Sequence, residues 1–181
     1  MSTQSALLVI DVQRGLCEGK YAAFEADALV KRLNVLAKKA RADKVPVIWI
    51  HHEEEGGPLE HGTEGWQLAK GLESAPDDIL VRKTTPDSFL RTGLERLLKT
   101  HQIDRLVVCG MQSDFCVDTT TRRALALGYP VDLVSDGHST LDNSHLTAAQ
   151  IIAHHNETLS HMDSFGPKVR LVPCADVRFV V

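Results

Sequence analysis

The sequence predicts a parallel α/β protein, and its pattern of apolar runs carries that prediction. Short continuous apolar runs recur along the chain, and segments with helical periodicity separate them. Runs that are apolar at every position are typical of strands buried on both faces, as in parallel sheets. Alternating strands and helices then predict βαβ units with right-handed crossovers. We expect one domain over residues 1–181, with three α/β/α layers around a mostly parallel six-stranded sheet of Rossmann-like topology.

The expected elements follow in order along the chain. The six predicted strands are the apolar runs 6–10, 45–50, 79–81, 106–109, 131–134 and 169–172. The predicted helices carry leucine or alanine at helical spacing, over 29–40, 90–98, 114–127 and 146–159. Gly110 is expected to stop the fourth strand. The one long irregular stretch, 53–78, contains Trp66. A loop of that length is often functional in a compact domain, although a plain surface excursion is an open alternative.

Composition and charge exclude several classes of function. Hydrophobic residues make up 43% and charged residues 24% of the 181 residues, as is typical of globular proteins. The net charge is -4 and there is no basic block, so neither nucleic acid nor an anionic membrane is an expected partner. No apolar run approaches the roughly 18 residues of a membrane span. The first residues lack a basic region that would indicate a secretory signal, so we expect a cytoplasmic protein.

Three polar residues follow predicted strands, at the edge where ligands bind in open parallel sheets. Asp11 follows the first strand, Lys83 the third, and Cys116 lies just beyond the fourth. Cys116 is expected in the first turn of a helix, where the helix dipole and a nearby cation would stabilise a thiolate. Asp11 could then transfer protons. The other three cysteines are widely spaced, and we expect free thiols rather than disulfides.

The chain resembles the isochorismatase-like cysteine hydrolases, in order and over nearly its whole length. This superfamily includes nicotinamidases, N-carbamoylsarcosine amidases, ureidoacrylate amidases and biuret hydrolases. The matching segments are Asp11-Val12-Gln13, Arg82-Lys83-Thr84 with Ser88-Phe89, Gly110-Met111-Gln112-Ser113-Asp114-Phe115-Cys116-Val117, and Ser135-Asp136-Gly137. Ser113 stands where the family usually has Thr.

The resemblance implies a catalytic triad of Asp11, Lys83 and Cys116. It also implies a cis peptide bond between Met111 and Gln112, with the backbone N–H groups of Gln112 and Cys116 as the oxyanion hole. Members that hydrolyse the vinyl ether of isochorismate generally lack the cysteine. Cys116 therefore favours cleavage of a small amide, carbamoyl or ureide substrate through a thioester. The family's members usually form dimers or tetramers, and apolar residues around Ile151 and Ile152 agree with a homo-oligomer.

Candidate pocket walls are the residues next to the triad. Gln13, Phe89 and Phe115 are expected to line the pocket, with Trp66 from the long loop as a further candidate. The aromatic rings indicate a small, partly planar substrate. The alternative for Phe89 and Phe115 is that both belong to the hydrophobic core.

No metal or other cofactor is expected. The metal-binding members carry a D-x-H segment after the second strand, and its Asp is missing here. His51, Glu53 and His61 could still form a metal site, but a solvated polar loop is the favoured interpretation.

Other functions remain as alternatives. The chain could hydrolyse a vinyl ether, or it could be a catalytically idle member that binds a ligand or senses oxidants through Cys116. Cys116 and Arg122 also have the C-x5-R spacing of cysteine phosphatases. That loop needs glycine and a phosphate-attracting environment, whereas the intervening residues contain no glycine and include Asp118.

Overall fold

The computed structural model describes residues 4–180, and its centre is a sheet of six parallel strands. The strands are β1 (Ser5–Ile10), β2 (Val47–His52), β3 (Ile79–Lys83), β4 (Arg105–Met111), β5 (Val131–Ser139) and β6 (Val169–Val172). They lie in the order β3-β2-β1-β4-β5-β6, and every neighbouring pair is parallel. The predicted fold class is confirmed.

Within the described residues, five α-helices connect or flank these strands. They are α1 (Arg14–Cys17), α2 (Ala26–Ala42), α3 (Leu94–Thr100), α4 (Asp118–Ala126) and α5 (Ala148–Ser160). One turn of π-helix, Ser113–Val117, runs directly into α4, and short 3-10 turns cover Gly19–Tyr21 and Cys174–Asp176. At the start of α5, Thr147 and Gln150 form a capping box, which satisfies backbone N–H groups of the first turn.

The core lies on both faces of the sheet, because side chains alternate between the faces along each strand. From β1, Leu7 and Val9 pack with the apolar stripe of α2. The intervening Leu8 and Ile10 pack on the other face with residues of α3, α4 and α5. All six residues of β1 are buried. This two-sided burial produces the three layers.

Several element boundaries differ from the expected ones. The helix predicted from Leu90 begins at Leu94, and the helix predicted over 114–127 is divided into the π turn and α4. Gly110 does not stop β4, which continues to Met111. Its φ is +120°, and a Cβ there would lie 2.1 Å from the carbonyl oxygen of Ile10. Gly110 therefore permits the close approach of β4 to β1 rather than ending a strand.

Residues 53–78 contain no helix or named strand, as predicted, and a single bridge between Gln13 and Leu68 pairs this loop with the chain after β1. Ile151 is buried within its own chain, so only Ile152 of that pair remains partly exposed. Within residues 4–180, every helix is too short or too polar to cross a bilayer.

Candidate active site

The three predicted catalytic residues lie at the carboxyl edge of the sheet. Asp11 directly follows β1, Lys83 is the last residue of β3, and Cys116 lies in the π turn after β4. From β1 the chain adds β2 and then β3 on one side of the sheet. It then returns to place β4 on the other side of β1, followed by β5 and β6. Such a reversal of strand order leaves a crevice at the carboxyl ends, where open α/β sheets bind ligands.

The structure brings these three side chains into contact. Lys83 Nζ lies 2.6 Å from Asp11 Oδ2 and 3.3 Å from Cys116 Sγ. The side chains of Lys83 and Asp11 are 0% and 1% exposed, so the ion pair is fully buried. Cys116, by contrast, is only partly buried. The arrangement therefore places a partly buried thiol against a fully buried ion pair.

His52 is a fourth member of this cluster that the sequence analysis did not assign to the site. It is the last residue of β2, and its Nδ1 lies 3.1 Å from Lys83 Nζ. The signal was available in the sequence, because His52 ends one strand as Lys83 ends another. The sequence pattern instead indicated His51 and His61 as potential metal ligands.

Gln13 is buried and forms hydrogen bonds to both the end of β2 and the long loop. Its Oε1 accepts from the backbone N–H of His52 at 2.9 Å, and its Nε2 donates to the carbonyl of His52 at 3.0 Å. The same Nε2 donates to the carbonyl of Trp66 at 2.8 Å. Gln13 is 0% exposed. Gln13 therefore fixes the end of β2 against the long loop. This buried position differs from the pocket wall that the sequence predicted.

The three aromatic candidates occupy different environments. Phe89 is buried in the core and stacks on Tyr129, with 6.2 Å between ring centroids. This placement agrees with the core alternative rather than with a pocket wall. Phe115 precedes Cys116 and is 54% exposed, so its ring is available to a substrate. Trp66 is partly buried in the loop that Gln13 holds.

The structure does not bring His51, Glu53 and His61 together as metal ligands. The rings of His51 and His61 each pack edge-on against Trp66, at centroid distances of 4.7 and 4.6 Å. Glu53 instead accepts two hydrogen bonds from the guanidinium of Arg82.

A different set of potential metal ligands lies in the cluster itself. One ligand atom each of Asp11, His52 and Cys116 lie within 4.8 Å of one another. Lys83 Nζ contacts each of these three side chains, so a metal ion bound between them would have to displace the ammonium.

Burial controls the protonation of the cluster. It raises the pKa of Asp11 above its ordinary value, and the charge of Lys83 opposes this shift. Burial, followed by the negative charge of Asp11, raises the pKa of Cys116 to about 12, again against the effect of Lys83. Desolvation thus opposes the expected thiolate, whereas the charge of Lys83 favours it. A thiol and a carboxylate whose pKa values are both raised thus lie side by side, an arrangement suited to proton transfer.

The backbone around Cys116 is held as a compact turn. The carbonyl of Gln112 accepts hydrogen bonds from the N–H groups of Phe115 and Val117, both at 3.1 Å. The peptide bond between Met111 and Gln112 is cis. The side chain of Ser113 bonds to the buried ring of His138 at 2.8 Å, and His138 in turn bonds to Asn156 of α5 at 3.0 Å. These bonds attach the turn that carries Cys116 to β5 and α5.

Comparisons with known proteins identify relatives of this chain. The family model "Isochorismatase domain" matches residues 5–163. Two streptothricin hydrolases of Streptomyces noursei are 38% identical over 138 residues, which is 76% of this chain and 50% and 55% of theirs. The chain thus spans about half the length of these relatives.

Two further proteins illustrate the range of the similarity. A ureidoacrylate amidohydrolase of Klebsiella pneumoniae is 27% identical over 163 residues, which is 70% of this chain and 69% of that protein. The crystal structure of an isochorismatase from Pseudomonas putida KT2440 superimposes with a TM-score of 0.88 at 28% identity, covering 95% of this chain and 89% of that one. With the family model matching most of its length, the chain belongs to the isochorismatase family.

Proposed function

We propose that the chain is a cysteine hydrolase that cleaves a C–N bond of a small amide, carbamoyl or ureide substrate. The observation that carries this proposal is the contact of buried Lys83 with both Asp11 and Cys116 at the carboxyl edge of the sheet. The relatives named streptothricin hydrolase and ureidoacrylate amidohydrolase support hydrolysis of this kind.

The first half of the reaction forms a thioester. Asp11 takes the proton of Cys116 while the sulfur attacks the substrate carbonyl carbon, and the carbonyl oxygen becomes negatively charged. The backbone N–H groups of Gln112 and Cys116 bind that oxygen. The C–N bond then breaks, and Asp11 returns its proton to the leaving nitrogen. A carboxylate of raised pKa suits this role, because it accepts a proton readily and still releases it.

The second half releases the acid and restores the thiol. Asp11 takes a proton from a water molecule as that water attacks the thioester carbonyl. The C–S bond breaks, the acid leaves, and the proton on Asp11 returns to the sulfur. Throughout the cycle Lys83 stabilises negative charge on Asp11 or Cys116, since its ammonium contacts both.

The phosphatase alternative lacks structural support. Arg122 would have to face the anion beside Cys116, but its guanidinium Nε donates to both carboxylate oxygens of Asp118, at 3.0 and 2.8 Å. Both residues lie on α4, one turn apart, so this pair directs the guanidinium along the helix.

An ammonia-release screen over small amides and ureides tests the proposal. A hit should lose turnover in Cys116→Ala, whereas Cys17→Ala, which alters another partly buried thiol, should retain it. Mass spectrometry of enzyme quenched during turnover should detect the acyl group on the peptide that contains Cys116. Near wild-type activity of Cys116→Ala would refute the nucleophile, and release of phosphate from p-nitrophenyl phosphate would favour the alternative.

A further inference from the structure

We propose that His52 is a positioning residue of this site, whose Nδ1 accepts one N–H of the Lys83 ammonium and thereby directs another N–H at Cys116. The inference rests on the proposed function, and it adds a residue that acts through Lys83 rather than on the substrate.

The hydrogen-bond count around Lys83 supports the inference. An ammonium has three N–H donors and no acceptor. Lys83 Nζ has three neighbours at bonding distance, namely Asp11 Oδ2 at 2.6 Å, His52 Nδ1 at 3.1 Å and Cys116 Sγ at 3.3 Å. Since Nζ can only donate, Nδ1 must be the acceptor, and the imidazole carries its proton on Nε2. Each N–H of the buried ammonium then has one partner.

The sheet order explains why a residue of β2 occupies this place. β2 lies between β3, which ends in Lys83, and β1, which leads to Asp11. His52 is paired in register with Lys83. Gln13 bonds to the backbone N–H and carbonyl of His52, so the ring projects from a fixed segment. Burial and the charge of Lys83 lower the pKa of His52, which keeps the accepting nitrogen unprotonated near neutral pH.

The second carboxylate oxygen of Asp11 is a competing acceptor for the Lys83 ammonium. Asp11 Oδ1 is buried and has no hydrogen-bond partner among the described residues. If Nδ1 were lost, the freed N–H of Lys83 would turn to Oδ1 for a partner. The ammonium would then bind both oxygens of Asp11 and rotate away from Cys116 Sγ. The thiolate formed during attack would lose its stabilising cation.

Two substitutions separate acceptance of the hydrogen bond from mere filling of space. His52→Leu keeps a side chain of similar volume but removes the hydrogen-bond acceptor, whereas His52→Asn places an amide oxygen about where Nδ1 lies. His51→Leu is the matched control, because consecutive residues of a strand face opposite sides of the sheet and the His51 nitrogens make no hydrogen bond among residues 4–180.

The readout is the rate at which iodoacetamide alkylates Cys116, followed on its peptide by mass spectrometry across a pH series. This rate reports thiolate formation and needs no substrate. We expect His52→Leu to slow alkylation about tenfold to a hundredfold, as for loss of a hydrogen bond to a charged group. His52→Asn should restore most of the rate and His51→Leu should match wild type, with the thermal melting of all three monitored in parallel.

The possible outcomes are distinguishable. Wild-type alkylation in His52→Leu would overturn the inference, as would equal slowing in His52→Leu and His52→Asn, since a structural role alone does not depend on the acceptor. With an active substrate, His52→Leu should lower kcat and leave KM nearly unchanged. If Cys116→Ala instead keeps its activity, the proposed function fails, whatever the His52 variants do.

Discussion

Replacing Lys83 by methionine would leave a buried carboxylate without its cation. The side chains of Lys83 and Asp11 are 0% and 1% exposed, and their charged atoms lie 2.6 Å apart. Breaking a buried ion pair by removing one partner costs about 3–5 kcal/mol, mainly because the remaining charge stays desolvated. We expect Lys83→Met to lose stability of that size at neutral pH. Asp11 Oδ1 has no hydrogen-bond partner among the described residues, so this oxygen contributes no stabilisation of the remaining charge.

The loss should depend on pH in a defined direction. Burial already raises the pKa of Asp11, and Lys83 opposes that shift, so its removal should raise the folded-state pKa further. A group whose folded pKa exceeds its unfolded value binds protons more tightly when folded, so its favourable contribution is present at low pH and is lost as the pH rises through the folded pKa. The stability deficit of Lys83→Met should therefore be larger near pH 8 than near pH 5.

Urea unfolding at these two pH values, followed by tryptophan fluorescence, measures the deficit. The double variant Asp11→Asn, Lys83→Met is the control, since it removes both charges and should recover much of the lost stability. Two results would refute the reasoning: a Lys83→Met protein as stable as wild type near pH 8, or a double variant no more stable than the single one.

The remaining predictions concern the core, the loop and assembly. Phe89→Ala should cost about 3–5 kcal/mol in urea unfolding while Cys116 keeps its alkylation rate, because Phe89 packs on Tyr129 in the core; a stable variant with a raised KM would restore the pocket role. Gln13→Ala should make residues 53–78 more sensitive to limited proteolysis, since it removes three hydrogen bonds to the backbone of His52 and Trp66; an unchanged digestion pattern would contradict its tying role. The resemblance predicts a homo-oligomer, so light scattering should report more than the mass of one chain, and a monomer at micromolar concentration would show this to be wrong.

The amino-acid sequence by itself determined the fold class and three members of the site. Every residue of β1 is apolar or small, a pattern typical of a strand covered on both faces. In a parallel sheet, the carboxyl ends of the strands lie along one edge. The placement of Asp11, Lys83 and Cys116 at that edge could therefore be predicted from the sequence. These inferences succeed because periodicity and strand ends are local properties of the chain.

Tertiary structure decided what depends on neighbours that are distant in sequence. His52 contacts Lys83 because β2 lies between β3 and β1, an order that the chain's succession of elements does not specify. Phe89 is a core residue because Tyr129 covers it, and Gly110 continues a strand because Ile10 approaches it closely. The raised pKa of the Cys116 thiol has the same origin. Desolvation depends on all the atoms around the sulfur, and only packing brings them there.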